Sequence, residues 1–515
     1  MHDVREQDVK PRKVQADTGA FTPAAPVESG SVSVDASKGD SRNTDRPTVS
    51  FNTLGCKLNQ YETDALAARF MREGWEVVPF SQKADVSVVN SCTVTNKADR
   101  KTRNTINKAL RLNGKTAHID LPEAADPGDS GMVVVTGCFV DSHRDELEKD
   151  GRSFVVDNDR KNSIFELVQA HRNGEILHPE SLKGDRFQYD ASSRVFHTRG
   201  MVKIQDGCDN FCTFCIIPFV RGRAVSRPPE DIFSSAQQMI DDGYHELVLT
   251  GVNMSRYRHG DFVFADIIQG LLDLNGDYRL RISSIEPDQL DERFLELMNH
   301  PRMCPHLHLC LQSGSEKILL KMRRQYSYAE YREIAARLKE HRPDFNITTD
   351  IIIGFPGEGT AEFQESLDAV TSIGFGHVHA FKYSVREGTR AARMDEQVPE
   401  KEKNRRSEQL RLEAEKAKRA YRQGLVGSSQ RVLVEKVSAG KDEDGNTRYR
   451  ARGLGQHYVP VSFPLPPGIG KSRAKAFENR FARVETTGLD AGDDPDLLGE
   501  LVYSLEDSAS SSGKE

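Results

Sequence analysis

Three cysteines lie within the eight residues from Cys208 to Cys215, in the segment GCDNFCTFC, and the middle one is Cys212. This spacing lacks the second cysteine pair or the histidine pair of common zinc sites. Three thiolates can instead bind three irons of a 4Fe-4S cluster and leave the fourth iron open to a small molecule. The segment follows an apolar strand candidate, MVKIQ, so the metal is expected at the end of a strand.

Strand candidates and helical segments alternate from about residue 195 to residue 395. The strand candidates are MVKIQ, ELVLTG, RLRISSI, HLHLCLQ, NITTDIIIG and HVHAFKYS. One intervening helix has a clear start at Ser327, which matches a capping box with Glu330. Six β/α units in one block predict an incomplete (β/α) barrel whose functional residues lie at the carboxyl ends of its strands. The cysteine segment follows the first of these strands, and the fold class is α/β.

A smaller parallel α/β domain is predicted over residues 49–173. Its three strand candidates end in TLGC, VNSC and VTGC, which place Cys56, Cys92 and Cys138 directly after a strand. Parallel strands present their carboxyl ends along one edge of a sheet, so these thiols can converge despite their separation in sequence. Three unrelated buried thiols are the alternative. The helix after the first strand is predicted to use Asn59 as its N-cap, with Glu62 reaching back.

Composition assigns the remaining segments. Residues 1–48 and 507–515 are polar and predicted to be disordered, and the loop NGKTAHIDLPEAADPGDSG is predicted to be a surface insertion. The predicted barrel unit, residues 194–424, ends in an exposed helix over 399–424 with nine Lys or Arg against five Glu. Such a helix is typical of an ion-paired linker or of an RNA contact.

Residues 425–506 contain short strand candidates separated by turn residues, which predicts a small antiparallel β-barrel. The basic segment GKSRAKAFENRFARV favours nucleic-acid binding by this barrel. A barrel that only packs against the rest of the chain is the alternative.

The whole chain carries a formal net charge of -7, so any nucleic-acid site must come from a local basic patch. The sequence has no long apolar run and no apolar N-terminal segment, so we expect a cytoplasmic protein without a membrane span. In a reducing compartment, grouped cysteines favour metal binding over disulfides. Cys304 and Cys310 are expected to be inert small apolar residues.

The cysteine segment after the first barrel strand resembles the radical S-adenosylmethionine (SAM) superfamily. The resemblance implies that SAM occupies the open iron and that cluster reduction releases a 5′-deoxyadenosyl radical. Strand-end residues and one residue between the cysteines are then expected to line the SAM pocket: Phe214, Thr250, Gly251, Ser284, Gln312 and Ser313.

Two cysteine trios on consecutive α/β domains, followed by a small barrel, resemble the radical SAM methylthiotransferases over about residues 49–506. The resemblance implies a second 4Fe-4S cluster on Cys56, Cys92 and Cys138 that carries or donates sulfur. It also implies that the C-terminal barrel is an RNA-binding TRAM domain. The implied partners are the anticodon stem-loop of tRNA, an electron donor such as a flavodoxin or ferredoxin, and a sulfur donor.

Flanking residues distinguish the subgroups of this family. The segments LGCKLNQYETDAL, VNSCTVTNKADRKTRN and YSVREGTRAARM are similar to the MtaB subgroup, which acts on N6-threonylcarbamoyladenosine in tRNA. The MiaB subgroup, which acts on isopentenyladenosine, usually has Gln-Met where this chain has Lys57 and Leu58. The RimO subgroup, which acts on ribosomal protein S12, has proline after the first cysteine. Val225 and Gly359 depart from the arginine and threonine common in the MtaB subgroup.

The MtaB resemblance implies that a methylthio group is inserted at C2 of N6-threonylcarbamoyladenosine at position 37 of tRNA. The alternatives are methylthiolation of isopentenyladenosine or of ribosomal protein S12, and a non-enzymatic RNA-binding protein that contains metal.

Overall fold

The computed structural model describes residues 46–113, 131–150, 153–189, 197–492 and 494–502, without the side chain of residue 150. The predicted tails and the predicted insertion after Asn113 lie almost entirely outside these residues. In chain order, the described residues form two α/β units and a closed β-barrel.

The N-terminal unit is a five-stranded parallel sheet in the order β2-β1-β3-β4-β5 with helices on both faces. Its elements are β1 (Thr48–Thr53), α1 (Lys57–Arg72), β2 (Glu76–Val78), β3 (Val86–Ser91), α2 (Asn96–Asn113), β4 (Met132–Gly137), α3 (Cys138–Asp150), β5 (Phe154–Val156) and α4 (Ile164–Arg172). Strands β3 and β4 are buried along their whole length. Val88 packs with Phe70 on one face, and the adjacent Val89 packs with Ile106 on the other. The central strands are therefore continuous apolar runs, as in a sheet covered on both sides.

The predicted cap of α1 is wrong. The helix begins at Lys57 with Cys56 as its N-cap, so Asn59 and Glu62 lie inside it. The Asn59 amide instead donates to the carbonyl oxygens of Leu54 and Ser91, at 2.8 and 3.0 Å. Glu62 is buried in ion pairs. Neither side chain is free to cap the helix, because each connects it to another part of the molecule.

The central unit contains six parallel strands that form the barrel wall and two short antiparallel pairs, β7-β8 and β10-β11. In chain order its strands are β6 (Gly200–Lys203), β7 (Gln205–Asp206), β8 (Val225–Ser226), β9 (Glu246–Thr250), β10 (Arg258–His259), β11 (Phe262–Val263), β12 (Arg279–Ile282), β13 (His306–His308), β14 (Asn346–Ile353) and β15 (His377–Lys382). Its helices are α5 (Ile217–Val220), α6 (Pro229–Asp241), α7 (Phe264–Leu272), α8 (Glu292–Leu297), α9 (Glu316–Met322), α10 (Tyr328–His341), α11 (Thr360–Ile373) and α12 (Glu400–Gly424). The predicted capping box of Ser327 and Glu330 starts α10.

Two three-stranded parallel sheets, β12-β9-β6 and β13-β14-β15, make up the barrel wall. Isolated bridges such as Ile285 to Leu309 join the two sheets, which gives the order β6-β9-β12-β13-β14-β15. The prediction of an α/β fold with parallel sheets is confirmed. Strands β6 and β15 are the two ends of this open wall.

The N-terminal unit contacts the barrel beside both of these end strands. On one side Glu62 of α1 accepts from Lys203 of β6 at 3.0 Å. On the other, Asp99 of α2 pairs with Arg386, shortly after β15, at 2.6 Å. The N-terminal unit therefore lies across the gap in the wall.

The C-terminal unit is a closed barrel in the order β16-β17-β18-β20-β19. Its elements are β16 (Ser429–Lys441), β17 (Thr447–Leu454), β18 (Pro460–Pro464), α13 (Lys471–Lys475), β19 (Phe481–Leu489) and β20 (Leu497–Leu501). One pairing, β18 with β20, is parallel, whereas the prediction had every strand antiparallel. Its identification as an RNA-binding TRAM domain stays a prediction.

The turn over residues 455–459, which we call the Tyr458 turn, packs against the amino ends of the central barrel strands. Arg281 donates to the carbonyl oxygens of Gly455 and Gln456 at 3.3 and 3.1 Å. Asn346 donates to the carbonyl oxygen of His457 at 2.6 Å. Tyr458 itself has a left-handed backbone with φ of 61°. Strand β18 consequently starts at Pro460, directly after this turn.

Tyr458 is expected to ionise about two pH units below an ordinary tyrosine. Burial raises its pKa, but Lys57, Arg199 and Arg281 outweigh burial and lower the pKa to about 8. His306, whose own pKa is lowered well below its usual value by burial, lies against the ring as a neutral group, with 4.7 Å between the ring centroids and an angle of 35° between the planes. Absorbance at 295 nm should therefore show one tyrosine titrating near pH 8, and the Tyr458→Phe variant should lack this step.

The sign of the linkage follows from the same pKa. An unfolded tyrosine has a pKa of about 10, so ionisation of Tyr458 contributes stability fully above pH 10 and loses it as the pH falls through 8. Wild-type and Tyr458→Phe titrations that coincide below pH 9.5 would contradict this assignment.

The helix predicted over 399–424 is present as α12, but its exposure is not as predicted. Leu410 and Ala414 are buried in the barrel core. Four of the nine basic residues are buried as well: Lys403, Arg406, Lys418 and Arg422. Arg406 pairs with Glu358 at 2.7 Å. These four cations hold the helix in place, so an RNA contact would have to use the five basic residues on the exposed face.

None of the helices in the described ranges has the length and apolar character that a membrane span requires.

Candidate cluster sites and active site

Cys56, Cys92 and Cys138 lie together at the carboxyl edge of the N-terminal sheet. Cys56 caps α1, Cys92 follows β3 and Cys138 follows β4. The residues just before the last two cysteines, Ser91 and Gly137, are paired neighbours in the sheet. The three thiols are close enough for their charges to interact. The structure therefore brings together the scattered trio that the sequence singled out.

Glycines keep the space around this trio open. Gly55 has a φ of +108°, and a Cβ there would lie 2.9 Å from Cys92 Cβ and 3.1 Å from Cys92 Sγ. Gly137 has a φ of +98°, and a Cβ there would lie 2.4 Å from the carbonyl oxygen of Ser91. Any larger residue would have to adopt a strained backbone and displace its neighbours. The loops can therefore approach while the thiols keep a free face.

Cys208, Cys212 and Cys215 occupy the loop between β7 and α5. Strands β7 and β8 pair with each other and enclose this loop together with α5. The backbone N–H of Asn210 donates to Cys208 Sγ at 3.5 Å, and Arg324 Nη1 donates to Cys212 Sγ at 3.3 Å. Arg324 was missed from the sequence, because nothing near it marks it as a neighbour of the cysteines.

The thiol chemistry of both trios fits metal ligands. Burial raises the pKa of Cys92 to about 12 and that of Cys215 to about 12, so neither is a thiolate near neutral pH without a metal. Among the described residues, one group of three ligating side chains has all its ligand atoms within 4.8 Å of one another: His308, Asp350 and His379. Neither cysteine trio is that compact. One zinc ion with Zn–S bonds of about 2.3 Å needs closer sulfurs, whereas a 4Fe-4S cluster spreads its ligands.

A buried charged group, here called the Glu62 network, lies between the two trios. It consists of Glu62, Lys161, Lys203, Asp206 and Arg221. Lys161 contacts Glu62 at 2.5 Å, and Lys203 contacts Asp206 at 2.7 Å. Arg221 reaches both carboxylates, at 3.2 Å from Glu62 and 3.0 Å from Asp206. Burial raises the pKa of Glu62, but the three cations lower it well below its ordinary value.

Arg221 connects the two candidate cluster sites. It is the C-cap of α5, in the segment that follows Cys215, and its charge acts on Cys138, where it lowers the pKa that burial raises. Its charge acts on Cys56 as well. The network was missed from the sequence because its members are up to 159 residues apart and none belongs to a motif.

Polar side chains line the inside of the barrel on β13, β14 and β15. Leu307, Ile351 and Val378 point into the core between strands and helices, so the alternate residues point inward. These include His308 and Asp350, which are 3.3 Å apart. The alternating HLHLCLQ and HVHAFKYS patterns were the available signal, but the sequence interpretation used them only to assign strands.

Cys304 is buried, whereas Cys310 is half-buried. Burial raises the pKa of Cys310 well above its usual value, and Asp350 and Cys212 raise it further. Cys310 is therefore near the cysteine loop, and it is not simply enclosed among apolar residues as expected.

The predicted SAM-pocket residues lie at strand ends or in the cysteine loop. Thr250 ends β9 and is buried, and Ser284 follows β12 by two residues. Phe214 packs edge-on against Phe355, with 6.4 Å between ring centroids. Gln312 has a left-handed backbone, with φ of 69°.

Two of these predicted positions have little free space. A Cβ at Gly251 would lie 2.7 Å from Met254 Cγ. The Ser313 hydroxyl is fully buried, 3.4 Å from the hydroxyl of Ser366 on α11. A role for any of the six residues in binding SAM stays a prediction.

Family models match the first two units. Residues 48–157 match the uncharacterized protein family UPF0004, and residues 202–370 match the radical SAM superfamily. Among solved structures, the chain resembles the radical S-adenosylmethionine methyltransferase TsrM from Kitasatospora setae with a TM-score of 0.48 and 14% identity. That similarity covers 67% of this chain and 74% of TsrM.

Curated relatives match across most of the chain. The threonylcarbamoyladenosine tRNA methylthiotransferase MtaB of Bacillus subtilis (strain 168) is 36% identical over 406 residues, which are 77% of this chain and 87% of that protein. A tRNA-2-methylthio-N(6)-dimethylallyladenosine synthase of Endomicrobium trichonymphae is 31% identical over 392 residues, covering 75% of this chain and 88% of that one. The chain belongs to the radical SAM methylthiotransferase family and is an enzyme that transfers a methylthio group.

Proposed function

We propose that this enzyme inserts a methylthio group at C2 of N6-threonylcarbamoyladenosine at position 37 of tRNA. The observation that carries the proposal is that Arg221, which pairs with Asp206 two residues before Cys208, also acts on Cys138 and Cys56 of the other trio. We therefore place the substrate base between the two trios. The B. subtilis relative, which is named for this nucleoside, supports the choice of substrate.

The cysteine trios would hold two 4Fe-4S clusters, one on Cys56, Cys92 and Cys138 and one on the C-x3-C-x2-C loop. When bound, these clusters and SAM supply one-electron chemistry for removing an unactivated hydrogen, together with the sulfur that replaces it. Arg324 and the Asn210 N–H hold the sulfurs of Cys212 and Cys208 in position. Arg221 compensates negative charge at Cys138 and Cys56. These residues orient and shield the site, and none of them needs to transfer a proton.

The C-terminal barrel is proposed to hold the RNA. The segment from Lys471 to Arg483 places five basic side chains on it: Lys471, Arg473, Lys475, Arg480 and Arg483. An anticodon loop is single-stranded, so its base can be splayed into a protein pocket. A protein substrate would not need this basic surface, which disfavours ribosomal protein S12.

Nucleoside mass spectrometry of tRNA tests the proposal. A strain that lacks the gene should lose 2-methylthio-N6-threonylcarbamoyladenosine and accumulate the nucleoside without the methylthio group. Re-expression of the wild-type chain should restore the mark. The second candidate substrate is isopentenyladenosine, favoured by the 31% identity to the dimethylallyladenosine synthase. Loss of the isopentenyl mark, with the threonylcarbamoyl mark intact, would overturn the proposal in favour of this candidate.

A further inference from the structure

The inside of the barrel beside the first trio carries an excess of positive charge. Lys57 follows Cys56, and its Nζ lies 5.0 Å from the centroid of the Tyr458 ring. Arg199 and Arg281 approach the same ring, with 5.5 and 4.8 Å between the guanidinium carbon and the centroid. Three cations therefore surround one aromatic side chain where the N-terminal unit, the central barrel and the C-terminal barrel meet.

Lys57 differs from the two arginines because it forms no ion pair with a carboxylate, although the charges of Tyr458 and Glu246 act on it from farther away. Arg281 pairs with Glu246 at 2.7 Å, and Arg199 pairs with Glu435 at 3.4 Å. Within the part of the chain that the structure describes, no carboxylate forms an ion pair with Lys57. A half-buried ammonium without a carboxylate in ion-pair contact is incompletely compensated in the free protein. It is suited to an anionic group that a ligand brings in.

The neighbours of Lys57 indicate which part of the central barrel its ammonium group faces. The Lys57 charge acts on His306 and on His379, two residues that point into the barrel. His379 is paired across the sheet with Asp350. Asp350 in turn acts on Cys310, which lies near Cys212. Lys57 therefore faces the inward-pointing side chains of β13, β14 and β15.

We propose that Lys57 binds a carboxylate on the N6 side chain of the substrate adenosine and thereby selects that side chain. The inference rests on the proposed function. A threonylcarbamoyl group has one free carboxylate, whereas an isopentenyl group is apolar and would leave the Lys57 ammonium unpaired. An ion pair formed inside the barrel is stronger than one in water, and the unpaired alternative adds a penalty. Lys57 is a specificity-determining residue and takes no part in bond making.

Binding of modified anticodon stem-loops tests the role of Lys57. The probes carry N6-threonylcarbamoyladenosine, its methyl ester or unmodified adenosine at position 37, and Kd is measured by fluorescence anisotropy with the anaerobically reconstituted enzyme. We expect the wild-type enzyme to bind the acid about tenfold more tightly than the ester. Lys57→Met should abolish this ratio, and Lys57→Arg should keep most of it. Lys183→Met, at an exposed loop lysine, is the matched control and should not change the ratio.

Two outcomes would overturn the role of Lys57. One is an acid-to-ester ratio in Lys57→Met equal to that of the wild type. The other is an equal loss of affinity for all three RNAs, which would mean that Lys57 contacts a backbone phosphate. Iron analysis shows whether each variant holds both clusters. If Lys57→Met does not hold both clusters, its Kd values are set aside and the test uses the ratio of the wild-type Kd values for the acid and the ester. A ratio near one refutes carboxylate recognition.

The acid and ester RNAs, together with a stem-loop that carries isopentenyladenosine at position 37, separate this inference from the proposed function. A wild-type enzyme that methylthiolates the threonylcarbamoyl stem-loop without preferring acid to ester refutes only the role of Lys57. A wild-type enzyme that does not methylthiolate that stem-loop, yet acts on the isopentenyl one, refutes the proposed substrate.

Discussion

Replacing Cys138 with alanine should abolish methylthio transfer while the radical SAM site stays loaded. The side chain lies at the edge of the N-terminal sheet beside Cys56 and Cys92, and its loss leaves two of three ligands there. Anaerobically reconstituted wild-type enzyme should contain about eight irons per chain and the variant about four. Product formation should fall at least about 100-fold, because the proposed second cluster would supply the transferred sulfur. Reductive cleavage of SAM should persist.

Cys304→Ala is the matched control for this experiment. Cys304 is also a buried cysteine, but it lies outside both trios, at the base of the barrel next to Arg281. Its replacement should leave about eight irons and the transfer activity in place. A Cys138→Ala enzyme that still holds about eight irons would refute the second cluster site. About four irons in the wild-type enzyme would do the same.

The cysteine positions were predictable because each follows a strand whose apolar pattern is clear. Each of these cysteines comes directly after the end of a predicted strand, in the segments TLGC, VNSC and VTGC. A parallel sheet brings the ends of its strands to one edge. The sequence signal and the spatial arrangement are thus connected by one simple rule. The same rule located the C-x3-C-x2-C loop after the first barrel strand.

The contacts between units were not predictable, because no local pattern encodes them. Glu62 looks like a helix-capping residue in the segment NQYE, yet the structure buries it among three cations from distant segments. Tyr458 looks like a strand residue, yet it occupies a tight turn against the central barrel. The sequence of helix α12 is typical of a solvated charged helix, but one of its faces is buried against the central barrel, with ion pairs such as that of Arg406 with Glu358. In each case tertiary contacts outweigh local propensity.

Replacing Glu62 with glutamine should destabilise the contact between the first two units more than any exposed substitution. Glu62 accepts from Lys161, Lys203 and Arg221, and the Lys161 side chain is 0% exposed. Glutamine keeps the shape but leaves three buried cations with Asp206 as the remaining carboxylate of the network. Removing one partner of a buried ion pair costs about 3–5 kcal/mol. For a unit of this size, that corresponds to a fall in Tm of about 10 °C.

Calorimetry with hydrogen exchange measures this effect. Glu292→Gln, which removes an exposed ion pair with Arg337, is the control and should shift Tm by no more than about 3 °C. Amides in α1 and β6 should exchange faster in Glu62→Gln because these elements meet at the network. The pKa of Glu62 is lowered by folding, so its contribution is fully present above its unfolded pKa and is lost only as the pH falls through the lower folded value. The difference in Tm from wild type should therefore be constant between pH 5 and pH 8.

A double variant distinguishes charge imbalance from lost packing as the cause. In Glu62→Gln with Lys161→Met, the most deeply buried cation is replaced by an apolar side chain of similar length. Replacing buried ions with well-packed apolar groups is often neutral or stabilising. The double variant should therefore recover at least half of the Tm lost by Glu62→Gln alone. The comparison also needs the Lys161→Met single variant. If the Tm losses of the two single variants add in the double variant, Lys161 and Glu62 stabilise the molecule independently, and the network does not act as a unit. If the double variant loses less than this sum, the candidate second cluster site is held against the barrel by a charge balance that no single residue supplies.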